Sequence, residues 1–224
     1  MIPDGNRRWA KERGLTIKEG YEAGAMALEK VLSHILLKYP EIREVSVFGL
    51  SLENLRRPRE ELDDLFEVQT KYFIRLYENP LIYRERVRVR VLGFTELLPS
   101  HLLKAISKVE SATRSHDNRY LNFLMPYGGQ QEIVRAVSIA SSPLYGPLAL
   151  LNPKSVLESS LFVSTPVDLI IRTAEKRLSN FLLYQSAYAE IVFVDKYWPS
   201  FTVEDFDMCI NEFRTRRRKY GYLE

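Results

Sequence analysis

RYLNFLMPYGGQQEIVRAVSIAS (residues 119–141) is the stretch on which the fold turns. Arg119–Met125 is dense in apolar and aromatic side chains and reads as a strand. Pro126 and the Gly128-Gly129 pair break it. Across 130–141 the apolar side chains then recur three and four positions apart, the helical spacing. A buried strand, a glycine break and a helix in direct succession make a βα unit, the building block of a parallel sheet.

The same alternation extends in both directions. Residues 97–113 read as a helix, RVRVRVLGF (86–94) as an alternating strand and 60–77 as a helix opened by Pro58 with Glu60 and Glu61 behind it. Val45–Phe48 is a short buried strand, and 19–37 has helical spacing. On the other side lie a proline-broken segment (142–166), the buried strand VDLIIRT (167–173), a helical stretch from about Asn180, the strand IVFVD (191–195) and a basic helix from about Val203. The expected fold is α/β, a mostly parallel sheet surrounded by helices, in one domain spanning 1–224. Only Met1-Ile2-Pro3 precedes the first polar cluster, so the first strand is expected to be short or missing.

The 224 residues, 46% hydrophobic and 27% charged, suit one globular core. No apolar run approaches the roughly 20 residues of a membrane span, and no secretory signal peptide is visible. Cys209 is the single cysteine, which excludes a disulfide framework and a cysteine-built zinc site and points to a reducing, cytoplasmic setting. A net charge of +3 does not call for a nucleic-acid partner.

Ligands of open α/β sheets bind beyond the carboxyl ends of the strands. Four polar loops fall on that rim: Asp4-Gly5-Asn6-Arg7-Arg8-Trp9, then Ser51 to Arg57, then Tyr127 to Gln131, then Arg172 to Asn180. Arginine presents a planar fork of donors matched to phosphate oxygens. Arg7, Arg8 and Arg57 could hold one diphosphate, and Arg172, Arg177 and Ser179 a second. Asp4 or Glu190 could carry Mg²⁺, which takes one or two carboxylates plus phosphate oxygens. Taken singly, Asp4-Gly5-Asn6 is equally a turn, Ser179 a helix cap and Glu190 an exposed loop carboxylate. Asp63, Asp64 and Glu67 read as a solvated helix face, and the arginines at 84, 86, 88 and 90 as a charged edge strand.

With these residues in place, the chain resembles the cis-prenyltransferases, the family of undecaprenyl diphosphate synthase. DGNRRWA, SLENLRRP, PYGGQQEIV, DLIIRTAEKRLSNFLLYQSAYAEIVF and YWPSF are similar, in order, to that family's signatures. The resemblance implies a six-stranded parallel sheet, an apolar substrate tunnel walled by the helices at 19–37 and 60–77, and a homodimer. It implies that isopentenyl diphosphate units are added to an allylic diphosphate primer to give a long Z-polyprenyl diphosphate, a lipid carrier precursor for glycans, with peripheral membrane contact through the product. It assigns Asp4 and Glu190 to Mg²⁺, and Gly5, Asn6, Arg7, Arg8, Trp9, Tyr21 and Arg57 to the allylic diphosphate. Arg172, Arg177 and Ser179 go to isopentenyl diphosphate, and Ser51 and Asn54 to orienting the reacting ends and assisting proton removal. Ala23, Gly24, Ala25 and Gly49 would leave room for isoprene units, or allow close helix packing. The chain departs from the family pattern at Ile17 and Tyr21, where arginine and histidine are usual, with Lys18 nearby to compensate, and at Leu55, Lys176 and Lys219. The alternative reading is a non-catalytic or partner-dependent subunit of a heteromeric enzyme.

Overall fold

A computed structural model describes residues 1–216; Lys219 and the end of the basic C-terminal run lie outside the described residues. In chain order the elements are α1 (Asn6–Glu12), α2 (Ile17–Lys38), β1 (Glu44–Phe48), α3 (Arg59–Glu78), α4 (Pro80–Arg84), β2 (Val87–Leu92) and α5 (Ser100–Ala112). Then come β3 (Arg119–Leu124), α6 (Gly129–Ala140), α7 (Gly146–Leu151), α8 (Pro153–Ser160), β4 (Leu169–Thr173), β5 (Glu190–Val194) and α9 (Val203–Thr215). The fold is mixed α/β with parallel strand pairing, as expected.

In place of the expected single six-stranded sheet, the described residues hold five strands in two parallel sets, ordered β1-β3-β2 and β4-β5. Met1 and Ile2 lie between the sets. Ile2 N–H donates to the Ile171 carbonyl on β4 (2.9 Å), while the Met1 carbonyl accepts from Phe48 N–H on β1 (3.0 Å). Ile2 makes one isolated parallel bridge, to Arg172 of β4. That bridge still matters: it delivers Asp4 to the carboxyl end of β4.

Local chemistry explains the main elements. Thr16 and Glu19 form a reciprocal capping box that opens α2. The buried stripe Leu28, Val31, Leu32 and Ile35 follows helical spacing on its inner face. At its far end the buried guanidinium of Arg119 donates to the carbonyl of Leu36 and, alongside Tyr39 N–H, to that of Ile35. On α3, Phe66, Tyr72 and Phe73 face inward; Tyr72 and Phe73 meet Phe123 of β3 edge to face at 5.7 and 5.1 Å. Edge strand β2 buries Val87, Val89 and Val91, while Arg90, on the other face, pairs with Glu44 and Asn122. The expected stripe is not one strand face: Arg84 ends α4, Arg86 precedes β2 and pairs with Asp117, and only Arg88 and Arg90 lie on the edge strand.

Two segments depart from expectation. The irregular stretch 142–166 contains two short helices, α7 and α8, with Pro147 at the second position of the first and Pro153 at the first position of the second. The helix expected from about Asn180 is a series of turns, with Ala174, Ser179, Asn180 and Leu182 all at positive φ. Apolar density there serves a second core cluster containing Phe181 and Leu182 rather than a helix face.

Candidate active site

Asp4 is held in place by its own backbone. Its N–H donates to Thr173 Oγ1 (3.0 Å), the Thr173 hydroxyl donates back to the Asp4 carbonyl (2.8 Å), and Trp198 N–H donates to the same carbonyl (2.9 Å). Gly5 follows at φ +100, where a Cβ would stand 2.6 Å from the Tyr197 ring. Only glycine fits this turn. It lets α1 start at once, so Asn6, Arg7 and Arg8 lie in the helix's first turn, not ahead of it.

The side chains of Asp4, Arg7, Arg8 and Arg57 then converge with Arg172, Arg177 and Ser179 on a cleft of about 1250 Å³. Ser51, Asn54, Gly5, Asn6 and Tyr21 line it too. Arg172 is almost fully buried at the end of β4; Nη2 donates to Asp4 Oδ2 (2.8 Å) and Nη1 to Ser179 Oγ (2.6 Å). Burial pushes its guanidinium pKa down while Asp4 opposes the shift. Its Nε is buried without a hydrogen-bond partner. Ser51 and Asn54 hold their own loop: Asn54 N–H donates to Ser51 Oγ (3.2 Å), and Ser51 N–H to Asn54 Oδ1 (3.4 Å).

Each cluster carries its own carboxylate. Glu175 accepts from Arg8 (2.6 Å) and from Arg177 (2.8 Å), joining the two halves of the cleft. The Arg8 hydrogen bond chiefly lowers the Glu175 pKa. Glu61, 7% exposed, lies 3.2 Å from Arg7 and 3.5 Å from Arg57. Five guanidiniums against Asp4, Glu61 and Glu175 leave a formal +2 for an anionic ligand.

Sequence reasoning gave Glu61 no role beyond opening a helix; its place four residues after Arg57 was the available signal. Asn180 was likewise on the rim without a role. Its Oδ1 accepts from Gln130 N–H (2.8 Å) and its Nδ2 reaches Gln131 (3.1 Å), binding the loop after β4 to the start of α6.

Two expected site residues stand elsewhere. Trp9 is not in the cleft: its indole donates to Ser200 Oγ (2.8 Å) and Arg13 stacks on its ring, so it braces α1. Glu190 pairs in register with Leu169, three residues before Arg172, so it sits about 10 Å along the strands from the level of Arg172. Its carboxylate accepts from Arg216 (2.8 Å), and the structure does not bring it to Asp4. Lys18 does not compensate at Ile17; it pairs with Asp64 and Glu67 on the outer face. Gly24 serves packing, since a Cβ there would lie 2.2 Å from Asn6 Oδ1, whereas Gly49 lines the cleft between Phe48 and Leu50, with Met125 Sδ 3.1 Å from where a Cβ would stand.

Among the described residues no group of three or more acidic, histidine or cysteine side chains could hold a metal. Asp4, 35% exposed on the cleft, supplies one carboxylate. One carboxylate with the remaining positions open to phosphate oxygens and water suits Mg²⁺. Phe48, Leu50 and Leu65 are among the apolar residues that line the cleft. No helix of the described residues is long and apolar enough to cross a membrane.

Comparison with known proteins places the chain among prenyl diphosphate synthases. The sequence model of a family described as putative undecaprenyl diphosphate synthase matches residues 2–221. A Methanopyrus kandleri protein named tritrans,polycis-undecaprenyl-diphosphate synthase (geranylgeranyl-diphosphate specific) is 44% identical, over 99% of this chain and 83% of its own. An isoprenyl transferase from Thermotoga maritima is 40% identical over 100% and 95%. The crystal structure of lavandulyl diphosphate synthase from Lavandula x intermedia in complex with dimethylallyl diphosphate superposes with a TM-score of 0.89. It is 29% identical, with 99% and 96% of the two chains covered.

Proposed function

The chain belongs to the undecaprenyl diphosphate synthase family and is a cis-prenyltransferase, and we propose that it adds isopentenyl diphosphate repeatedly to an allylic diphosphate primer with Mg²⁺ to give a long Z-polyprenyl diphosphate. The observation that carries this reading is the Asp4 carboxylate, 2.8 Å from buried Arg172, between two guanidinium clusters in one cleft. Geranylgeranyl diphosphate is the proposed primer, the substrate in the name of the Methanopyrus kandleri relative.

Arg7, Arg8 and Arg57 hold the allylic diphosphate; Arg172, Arg177 and Ser179 hold that of isopentenyl diphosphate. The allylic carbon–oxygen bond breaks and the diphosphate leaves with the electron pair. The isopentenyl double bond then attacks that carbon through its terminal carbon, leaving a cation at its own third carbon, and loss of a proton from the second carbon of the isopentenyl unit to a diphosphate oxygen restores a double bond. Ser51 and Asn54 stand at the cleft to orient these ends and assist proton removal. A magnesium ion at Asp4 would neutralise charge on the departing diphosphate. The chain's own part is positioning and charge stabilisation, without a covalent intermediate.

The growing chain leaves past Phe48, Leu50 and Leu65, toward the space between α2 and α3. Val134, Val137, Leu148 and Leu151, exposed on α6 and α7, form an apolar face that a homodimer would bury. The test is incubation of the purified chain with Mg²⁺, labelled isopentenyl diphosphate and separate dimethylallyl, farnesyl and geranylgeranyl primers. Chain-length ladders strongest with geranylgeranyl diphosphate are expected. Equal use of all three would overturn the primer assignment, and a single addition would overturn the long-chain product.

A further inference from the structure

Glu61 is a carboxylate that the proposed chemistry does not use, yet it is buried at the allylic end of the cleft, among guanidiniums meant for a diphosphate. Its Oε2 faces Arg7 Nη2 at 3.2 Å and its Oε1 faces Arg57 Nε at 3.5 Å. Tyr21, 6% exposed, stands beside the pair. Its hydroxyl donates to Glu61 Oε1 (2.6 Å) and accepts from Arg57 Nη1 (2.8 Å). Four residues from four segments, α1, α2, the turn before α3 and α3 itself, therefore share one small polar knot.

The chemistry of these groups limits what Tyr21 can do. A phenol has one hydrogen, and here Glu61 takes it. Its free lone pair could only accept. A diphosphate near neutral pH is itself an acceptor and offers nothing to that lone pair. The contact to Arg57, by contrast, fixes a guanidinium whose fork must face the ligand.

Resting on the diphosphate reading above, we propose that Tyr21 and Glu61 are positioning residues: they lock the guanidiniums of Arg57 and Arg7 in the geometry that receives the allylic diphosphate, and Tyr21 does not touch it. This replaces the expectation that Tyr21 binds substrate directly. Glu61 also lets two like charges stand close together before any ligand arrives.

The test measures binding of inorganic pyrophosphate by calorimetry, and steady-state kinetics with the allylic primer, for a set of variants. Tyr21→Phe is expected to weaken pyrophosphate binding and raise the primer KM about fivefold, leaving the KM for isopentenyl diphosphate and kcat within twofold. In an Arg57→Ala background the same change is expected to have no further effect, because Tyr21 acts through Arg57. An undiminished effect in that background would mean direct contact, and no effect in the wild-type background would mean no role; either overturns the proposal. Glu61→Gln supplies a second check. Charge alone predicts tighter binding once a negative group is removed, whereas positioning predicts weaker binding; tighter binding overturns the proposal even if Tyr21→Phe fails to fold. Failure of the functional reading looks different: the unaltered chain would bind pyrophosphate with the coupling described and yet elongate no primer.

Discussion

The Asp4 carboxylate and the Arg172 guanidinium meet at 2.8 Å across a separation of 168 residues, joined through a single bridge between Ile2 and Arg172. Arg172 is 2% exposed and Asp4 is 35% exposed, so the buried partner orients the accessible one. Asp4→Asn keeps the shape and removes the charge. It is expected to lower kcat by about 100-fold or more, with the melting temperature close to that of the unaltered chain. Chelation with EDTA should abolish elongation and added Mg²⁺ should restore it, read as incorporation of labelled isopentenyl diphosphate.

Ala174 occupies the left-handed region at φ +67, beside Glu175. An alanine there carries a steric cost of roughly 1–2 kcal/mol, against roughly 0.5–1 kcal/mol of extra chain entropy that glycine loses on folding. Ala174→Gly is therefore expected to stabilise the fold by about 0.5–1 kcal/mol in urea titration. At Gly5 the sign reverses: Gly5→Ala puts a methyl 2.6 Å from the Tyr197 ring at φ +100. A loss of about 2 kcal/mol or more is expected there.

Asp207 fastens α9 to the end of α2, accepting from Lys38 and Tyr39 and pairing with His34 at 2.7 Å. Burial alone would raise its pKa; the hydrogen bonds from Lys38, Tyr39 and His34 overcome that and hold it well below the usual carboxylate range. A depressed folded pKa means that Asp207 contributes stability above about pH 4, its unfolded value, and that this stability is lost as pH falls further. Asp207→Asn should lower stability at pH 7 by about 2 kcal/mol. It should also flatten the decline of melting temperature between pH 4 and pH 2. An equally steep acid decline in the variant would count against this account.

Asn180 joins two loops of the rim through its side chain, accepting from Gln130 N–H at 2.8 Å. Asn180→Ala should free the start of α6 and the loop carrying Ser179. An increase in the KM for isopentenyl diphosphate of about tenfold is expected, with faster amide exchange at Gln130. A change confined to the primer KM would be inconsistent with this placement.

Much of the molecule was legible in the chain. The strand–break–helix order at 119–141 and its repeats set the parallel architecture, because buried strands and amphipathic helices differ in period. Polar loops after β1 and β4 collected at one cleft for the same topological reason, while the Tyr127–Gln131 loop after β3 lies outside its lining. What escaped depended on long-range pairing. The helix expected at Asn180 lost to a second core that pulls Phe181 and Leu182 inward through left-handed turns. Glu190 carries a metal-binding residue type, but its register with Leu169 puts it at the wrong end of β5. Trp9 looked like part of a ligand cluster, yet its helical position turns it toward Ser200. Glu61 read as a helix-start carboxylate; Arg57 stood four residues before it in the sequence, but its pairing with Arg7 of α1 came only with the fold.

The central claim is that Asp4 and the two guanidinium clusters form one elongation site, and a single-turnover reaction tests it most directly. Enzyme in excess over geranylgeranyl diphosphate, with Mg²⁺ and labelled isopentenyl diphosphate, should show primer extension and stoichiometric release of pyrophosphate. In Asp4→Asn extension should be slowed by about 100-fold with primer still bound. No extension by the unaltered chain, or equal rates in both, would contradict the account.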